Sequence, residues 1–352
     1  MSTASVASSA RAPITHDSLP AWGPWAVVGG VLLAAVALGS ATEVALGVLL
    51  LLGVVLSVGV VYVWSRAVEG SRRAKDRSVT IAVTASFLLA IAPLVSVLYT
   101  VLSRGLARFD APFFTETARN VVGEGGGASH AIVGTLVITG VATLASVPIG
   151  IMAAIYLHEY GSGRLKKALT FFVDVMTGIP SIVAGLFAVA LFVLFFGPGI
   201  RLGVMGAVAL SVLMIPIVVR STEEMLKIVP DGLREASYAL GVPKWRTIVK
   251  VVLPTALAGI ITGVMVAVAR VIGETAPLLI TTGVFSSMNS NPFDGRMSNL
   301  PVFAFNQYKF PGAIPEPYID RAWAAALTLI VIVMTLSLAA RLIYRRFGTD
   351  IR

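Results

Sequence analysis

The chain of 352 residues is 57% hydrophobic and only 13% charged, and it contains no cysteine. Soluble domains carry about 25% charged residues, so the composition indicates a membrane protein with several spans rather than a soluble domain. The lack of cysteine excludes disulfides and cysteine-based metal or thiol sites, and three scattered histidines (His16, His130, His158) predict no metal site. The net charge of +9 would suit nucleic acid, but the basic residues follow a membrane-topology pattern, so no nucleic-acid partner is expected.

Eight apolar segments approach the length of about 20 residues that a helix needs to cross a membrane. They cover residues 22–41, 44–64, 79–102, 131–157, 169–196, 202–219, 254–281 and 322–344. Residues 1–21 are rich in Ser and Ala and predict a disordered cytoplasmic tail, and residues 347–352 a second short tail. Only Thr42 and Glu43 separate the first two segments, which predicts an accessory transmembrane hairpin over residues 22–64. No small-residue cleavage site follows the first segment, so we expect a retained helix rather than a signal peptide.

A basic segment, residues 65–78, marks the predicted boundary between this hairpin and a six-span core over residues 79–346. Lys and Arg are also concentrated in 164–167, in 220–250 and near the C-terminus, and are sparser in 103–130 and 282–321. Because basic residues favour the cytoplasmic side, this distribution predicts eight spans, cytoplasmic termini and two outside loops, 103–130 and 282–321. The glycine-rich stretch 123–127 lacks the strand and Lys-Ser/Thr of a phosphate-binding loop, so a flexible loop is expected there.

The long polar segment 220–253 has the pattern of a helix, a tight turn and a second helix. Asp231 suits the first turn of a short helix, Gly241 the turn after it, and Pro243 the first turn of the next helix. Pro254 is then expected to open the following span. Four side chains offer a surface to a partner protein: Leu233, Ala236 and Ser237 for close contact, and Glu235 for charge pairing. On residue types alone, an interfacial amphipathic loop without a partner is an equal alternative.

Two charged residues, Arg270 and Glu274, interrupt the otherwise apolar seventh segment. A charge at the middle of a spanning helix costs roughly 2.5–3.5 kcal/mol on insertion scales, so such residues face protein or a watery cavity. The arginine fork suits phosphate or carboxylate oxygens, and Thr275 adds a neutral hydrogen-bonding group, which together suggest an anion pathway. An internal ion pair across four residues of one helix face is the other interpretation. Gly273 and Pro277 predict a helix break here.

Several sequence blocks together resemble the PstA-type permeases of bacterial phosphate ABC importers. They are YLHEYG (156–161), GIPSIVAGLF (178–187), the segment 216–245, GVMVAVARVIGETAPLL (263–279), LPVFAFNQY (300–308) and RAWAAALTLI (321–330). The resemblance implies an all-α polytopic membrane protein with a MetI-like core of six helices; the N-terminal hairpin has no counterpart in the shorter family pattern. It also implies substrate-pathway roles for Arg270, Glu274 and Arg220. For Arg220, extension of the side chain to the lipid head groups is the alternative.

The resemblance further implies that the chain is the membrane half of a pump whose motor is another chain. The E-A-S segment has Ser237 where the family's E-A-A loop has alanine, and it implies docking of an ATPase. The residues expected to couple are Leu233, Glu235, Ala236, Ser237, Gly241 and Pro254. The chain has no G-x-x-x-x-G-K-[ST] sequence, so we expect no enzyme activity and no cofactor on it, with ATP and Mg²⁺ bound by the ATPase.

The implied partners are a PstC-type permease as heterodimer partner, a PstB-type ATPase dimer, and a periplasmic or lipid-anchored phosphate-binding protein. The substrate is inorganic phosphate, and the location is the bacterial cytoplasmic membrane with both termini inside. Two other functions stay open. One is an ABC permease for another oxyanion, such as sulfate or molybdate. The other is a secondary transporter that couples to protons through Glu274.

Overall fold

The computed structural model describes residues 18–42 and 44–347, and all regular structure in these ranges is helical. Most of the two predicted tails, 1–21 and 347–352, lies outside the described residues. The helices are α1 Gly23–Ala41, α2 Leu46–Val68, α3 Ser71–Gly105, α4 Ala111–Thr115, α5 Ser129–Ile155, α6 Gly163–Thr177, α7 Ser181–Phe196, α8 Gly203–Ile228, α9 Asp231–Ala239, α10 Lys244–Thr247, α11 Leu253–Val271, α12 Ala276–Thr281, α13 Leu300–Lys309 and α14 Pro315–Phe347. A 3₁₀ turn at Leu106–Arg108 and π turns at Tyr156–Tyr160 and Ile248–Val252 extend α3, α5 and α10.

Seven helices within the described ranges are long and apolar enough to cross a membrane. The count becomes eight if α6 and α7, which are bent by 109° against each other, form one span. The fifth predicted span, 169–196, is therefore not one straight helix. Pro180 explains the break, because proline lacks a backbone donor and disfavours helical geometry in the residue before it.

The basic segment 65–78 is almost entirely helical, which differs from the linker expected from the sequence. The helix α2 continues through Val68 and α3 begins at Ser71, so only Glu69 and Gly70 connect them. Gly70 has φ +90°, a conformation that glycine adopts without steric cost. The Lys, Arg and Ala residues after it are good helix formers, which explains why this polar segment extends the helix.

Contacts divide the chain into a first unit that ends at Leu98 and a second unit that begins at Tyr99. In the first unit, α1, α2 and the first part of α3 pack around Val28, Val61 and Ile81. Most other apolar side chains of α1 and α2 are exposed, as in helices that face lipid. The division lies within α3 rather than at residues 65–78, so a permease core starting at residue 79 stays a prediction.

The centre of the second unit is formed by α5 and α8, with α11 packed against them. Their shared core includes Ile138, Leu210, Met214 and Ala267. Small residues allow this close packing: a Cβ added at Gly150 of α5 would lie 2.7 Å from a Val218 methyl of α8. The helix α8 is the most enclosed of the spanning helices found, since 56% of the residues in its apolar stretch of 18 residues are buried. A displacement of α8 would therefore require the helices packed against it to move as well.

The two predicted outside loops contain helices, α4 in the first and α13 in the second. Phe113, Leu300 and Phe303 bury their side chains with Ala128 in one apolar cluster. The glycine-rich stretch, for which a flexible loop is expected, is held at three of its carbonyls by arginine side chains. The buried Arg321 donates to the carbonyls of Gly123 and Gly125 at 2.7 and 2.9 Å, and Arg108 donates to the Gly126 carbonyl at 2.8 Å.

Candidate translocation and coupling sites

The predicted helix break beside Arg270 and Glu274 is present. The helix α11 ends at Val271, α12 begins at Ala276, and Pro277 lies in the first turn of α12. Arg270 is thus the penultimate residue of α11, whereas Glu274 lies in the connection. Because the helix does not continue through Glu274, the two charges do not share a helix face as four-residue spacing would place them.

Arg270 and Glu274 line one cavity of about 180 Å³. Its walls come from three directions: the α6–α7 break (Met176, Thr177, Ile179 and Ser181), α8 (Leu213, Pro216 and Ile217) and the end of α11 (Val271). Within the described ranges, neither charge forms an ion pair; the pairs found nearby belong to Arg220 and Arg234. The internal ion pair considered from the sequence is therefore not formed. Both charged groups remain available to a ligand.

The other two predicted pathway residues do not line this cavity. Arg220 pairs with Asp174 of α6 and, at 2.8 Å, with Glu223 one turn along α8. Its charge is therefore used to hold α6 against α8, and extension to lipid head groups does not describe it. Thr275 occupies the residue before α12 without a side-chain capping bond. Arg270 and Glu274 line one cavity, whereas Arg220 and Thr275, the residue after Glu274, are not part of its wall.

The coupling segment has the predicted order of helix, glycine turn and helix. The first helix is α9, Gly241 has φ +75°, and Pro243 directly precedes α10. Its connecting part is shorter than predicted, because residues 220–228 belong to α8 and residues 244–253 to the next helix. The stretch Lys244–Val271 is long enough to count as one span, and Pro254 lies in the first turn of its α11 part, Leu253–Val271, as predicted. A π turn directly precedes Pro254, whose missing N–H interrupts the regular bonding of an α-helix.

The side chains of α9 divide into an exposed and a buried set. Leu233, Glu235, Ala236, Tyr238 and Leu240 are exposed, as expected for residues that meet a partner. Ser237 is buried, and its hydroxyl lies 2.8 Å from that of Thr247. The expectation that Ser237 faces a partner is therefore wrong: it ties α9 to α10.

Arg234 is the functional residue that the sequence did not single out. This buried side chain donates to the carboxylate of Glu159 at 2.9 Å, to Asp231 at 3.1 Å, and to the carbonyls of Leu226 and Val229 at 3.0 and 2.7 Å. The Asp231 partner, three residues away, was a visible signal. Glu159 is 75 residues away in sequence, and nothing in the sequence links the two. Arg234 thus fixes α9 to the end of α8 and to the π turn that follows α5.

Lys244 adds a second connection to the same π turn. Its ammonium group donates to the Glu159 carbonyl and lies 5.0 Å from the centre of the Tyr160 ring. The bonds of Arg234 and Lys244 thus hold the segment in place, while its apolar side chains remain exposed. We call Leu233, Tyr238, Leu240 and Trp245, all exposed, the coupling surface. Across the described residues, no group of His, Asp or Glu side chains is arranged to hold a metal ion.

Comparisons with known proteins all identify membrane components of transport systems. A family model described as "Binding-protein-dependent transport system inner membrane component" matches residues 146–352. The phosphate transport system permease protein PstA 1 of Mycobacterium tuberculosis (strain CDC 1551 / Oshkosh) is 46% identical over 275 residues, 77% of this chain and 89% of that protein. The phosphate transport system permease protein PstA of Yersinia pestis is 38% identical over 285 residues, 80% of this chain and 94% of that protein.

Two solved structures share the fold. The inward-facing MetNI methionine ABC transporter aligns with a TM-score of 0.51 and 22% identity, over 62% of this chain and 94% of that chain. A bacterial ABC transporter involved in import of the acidic polysaccharide alginate aligns with a TM-score of 0.54 and 16% identity, over 79% and 100%. At these identities the likeness concerns the fold alone.

Proposed function

The chain belongs to the family of binding-protein-dependent transport system inner membrane components and, within it, to the PstA phosphate transport permeases; from this premise we propose that it forms half of the membrane pathway of an ATP-driven phosphate importer. An ABC permease works with an ATPase and a binding protein. We propose a PstC-type permease as the second half, a PstB-type ATPase dimer that binds ATP and Mg²⁺, and a periplasmic or lipid-anchored phosphate-binding protein. The chain would then lie in the cytoplasmic membrane with both termini inside.

The cavity beside the α11–α12 break supports phosphate as the substrate. Arg270 supplies a fork of donors that no ion pair occupies among the described residues, which suits two oxygens of one oxyanion. A carboxylate such as Glu274 repels a fully ionised oxyanion but accepts a hydrogen bond from one that keeps a hydroxyl group. Phosphate keeps a hydroxyl near neutral pH and sulfate does not. The pair of side chains therefore favours phosphate over sulfate.

One helix joins the coupling surface to this cavity, and this observation carries the proposal. Arg234 binds two carbonyls at the C-terminal end of α8, and Leu213, Pro216 and Ile217 of the same helix line the cavity of Arg270. Closure of an ATPase dimer against α9 would move α8 with it, because buried hydrogen-bonded groups are costly to separate. A bundle with two arrangements, biased by the nucleotide state, would then expose the cavity to each side in turn.

Phosphate uptake by proteoliposomes that contain the whole complex tests the pathway. Arg270→Gln should lower uptake about tenfold to a hundredfold, the worth of a charge-assisted contact of about 1.5–3 kcal/mol, while assembly is unchanged. Glu274→Gln replaces an acceptor with a group that also donates, so sulfate should now compete with phosphate, which it does not in the unmodified complex. Arg104→Gln is the matched control, since Arg104 is exposed and lies outside the cavity.

Other outcomes would overturn the assignment in distinct ways. Full phosphate uptake by the Arg270→Gln complex would remove that residue from the pathway. Equal competition by sulfate or molybdate in the unmodified complex would indicate a permease for another oxyanion. Uptake that needs no ATP and stops with a protonophore would indicate a proton-coupled secondary transporter.

A further inference from the structure

A basic surface lies on the first turns of α3, in the unit that has no part in the cavity or in the coupling surface. Arg72, Arg73 and Lys75 are exposed there, and the ion pairs in the described ranges include none of them. Two adjoining hollows of about 470 and 560 Å³ open beside these side chains and share Arg73 and Asp76 in their walls. Asp76 is the one carboxylate that the second hollow has in its wall. The surface therefore carries an excess of positive charge.

The neighbouring buried carboxylate does not neutralise this surface. Glu69 accepts hydrogen bonds from the Leu19 amide at 2.9 Å, from the Ser65 hydroxyl at 2.8 Å and from Arg77 at 2.7 Å. Arg77 also donates to the Leu19 carbonyl at 3.2 Å. The carboxylate of Glu69 is thus paired with Arg77 and hydrogen-bonded to Ser65 and to Leu19, which precedes α1. This bonding also fixes the floor of the first hollow.

Aromatic residues place the basic surface at the level of lipid head groups. Trp25 lines the first hollow, Trp22 lies three residues before it in the chain, and the Trp64 ring lies against Gly23 at the start of α1. All three indoles are exposed, and tryptophan is enriched where the apolar core of a membrane meets water. Further along α3, Val79 and Val83 are exposed. The basic side chains therefore lie next to an exposed apolar part of the same helix.

We infer that this surface binds a phospholipid with an anionic head group. Arg72, Arg73 and Lys75 would hold the phosphate-bearing head group, and the acyl chains would lie along the exposed valines of α3. A lipid satisfies both features, whereas inorganic phosphate offers charge but nothing to cover the apolar face. Clusters of basic residues next to the end of a transmembrane segment are suited to such head groups. The site gives the N-terminal hairpin a role that transport itself does not require.

Native mass spectrometry of the full chain in a non-ionic detergent tests the inference. The probes are phosphatidylglycerol, phosphatidylcholine with the same acyl chains, and inorganic phosphate alone. We expect phosphatidylglycerol to be retained, phosphatidylcholine to be retained at least tenfold less, and inorganic phosphate to leave this surface unoccupied. The triple variant R72Q/R73Q/K75Q should lose at least tenfold of the phosphatidylglycerol occupancy, since each basic residue near anionic lipid contributes substantially.

The matched control is R164Q/K166Q/K167Q, which removes three cations from the start of α6 and should retain phosphatidylglycerol. Asp76→Asn gives a second, opposite variant: removal of the carboxylate from among the cations should raise the occupancy. Equal loss in both triple variants would show a general charge effect and overturn the site. So would equal retention of phosphatidylcholine, or phosphate binding that R72Q/R73Q/K75Q abolishes without any lipid. If the triple variant does not fold, unchanged occupancy in Asp76→Asn decides against the inference.

Discussion

Arg234 and Glu69 are buried charges with full sets of partners, whereas Arg270 and Glu274 line a cavity and have no ion pair among the described residues. Arg270 is exposed and Glu274 is half-buried, so both charges can be reached by a ligand, and charged residues at membrane depth face a watery cavity or a partner rather than lipid. Arg220 shows the contrast within one region, because two carboxylates already satisfy it. At the scale of residues, pairing separates the charges that hold the fold from those that can act on a substrate.

Glu69 carries a pH prediction at this scale. Burial alone raises the pKa of Glu69, but hydrogen bonds from Arg77, Ser65 and the Leu19 amide outweigh it and hold the pKa below its usual value. A lowered folded-state pKa means that the carboxylate stabilises the fold above its unfolded pKa of about 4.3, and that this stability is lost as pH falls through the folded pKa. The free energy of unfolding of Glu69→Gln should therefore be lower than that of the unmodified chain at pH 7, by roughly 1–3 kcal/mol, and the variant should unfold at a lower temperature.

Thermal unfolding of the purified chain across pH measures this difference. The gap between the two proteins should narrow as pH falls below the unfolded pKa and close once pH has fallen through the lower folded-state pKa, where the carboxylate is protonated in both states. Glu224→Gln is the control, because Glu224 is exposed and its change should alter stability little at any pH. A gap that stays constant down to pH 3 would show that the charge of Glu69 is not what stabilises the turn.

The helix α9 is the element on which the proposed coupling depends. Its polar bonds run to α8 and to the π turn after α5, while its apolar side chains face outward. This arrangement gives a partner an apolar surface that cannot shift without moving α8. Exposed apolar residues grouped at the edge of a membrane protein mark an interaction surface more often than isolated ones do.

A substitution on this surface separates docking from folding. Leu240 is 83% exposed, so Leu240→Asp should leave the fold intact yet reduce co-purification of the ATPase at least tenfold, because a charge would face the apolar partner surface. Val122→Asp in the first outside loop is the matched control, since Val122 is 85% exposed. Loss of the ATPase in both variants, or in neither, would contradict docking at this surface.

Local sequence signals predicted the elements better than their contacts. The turn at Gly241 and the break at Gly273 follow from the backbone freedom of glycine and from nearby proline, which act within a few residues. The inward position of Ser237 and the bonds of Arg234 depend on Thr247 and Glu159, which only the folded chain brings close. The 109° bend between α6 and α7 likewise reflects packing, although the Gly-Ile-Pro sequence marked its place.

At the scale of the whole molecule, hydropathy predicted the all-helical membrane fold, and the resemblance in several sequence blocks predicted the family. The family model covers residues 146–352, which include both charges of the cavity and the coupling surface. The N-terminal hairpin lies before that match, in the unit that also includes the first part of α3. Composition located the hairpin, but its extension through the helical segment 65–78 depended on helix propensity that a charge count does not register.

The central claim is that this chain conducts phosphate only when another chain hydrolyses ATP against its coupling surface. The most direct measurement is phosphate accumulation in proteoliposomes that contain either this chain alone or the complete complex. Each preparation is measured with and without ATP on the side of the membrane where the ATPase lies. We predict accumulation against a gradient only for the complete complex with ATP. Accumulation by this chain alone, without any partner, would contradict the account.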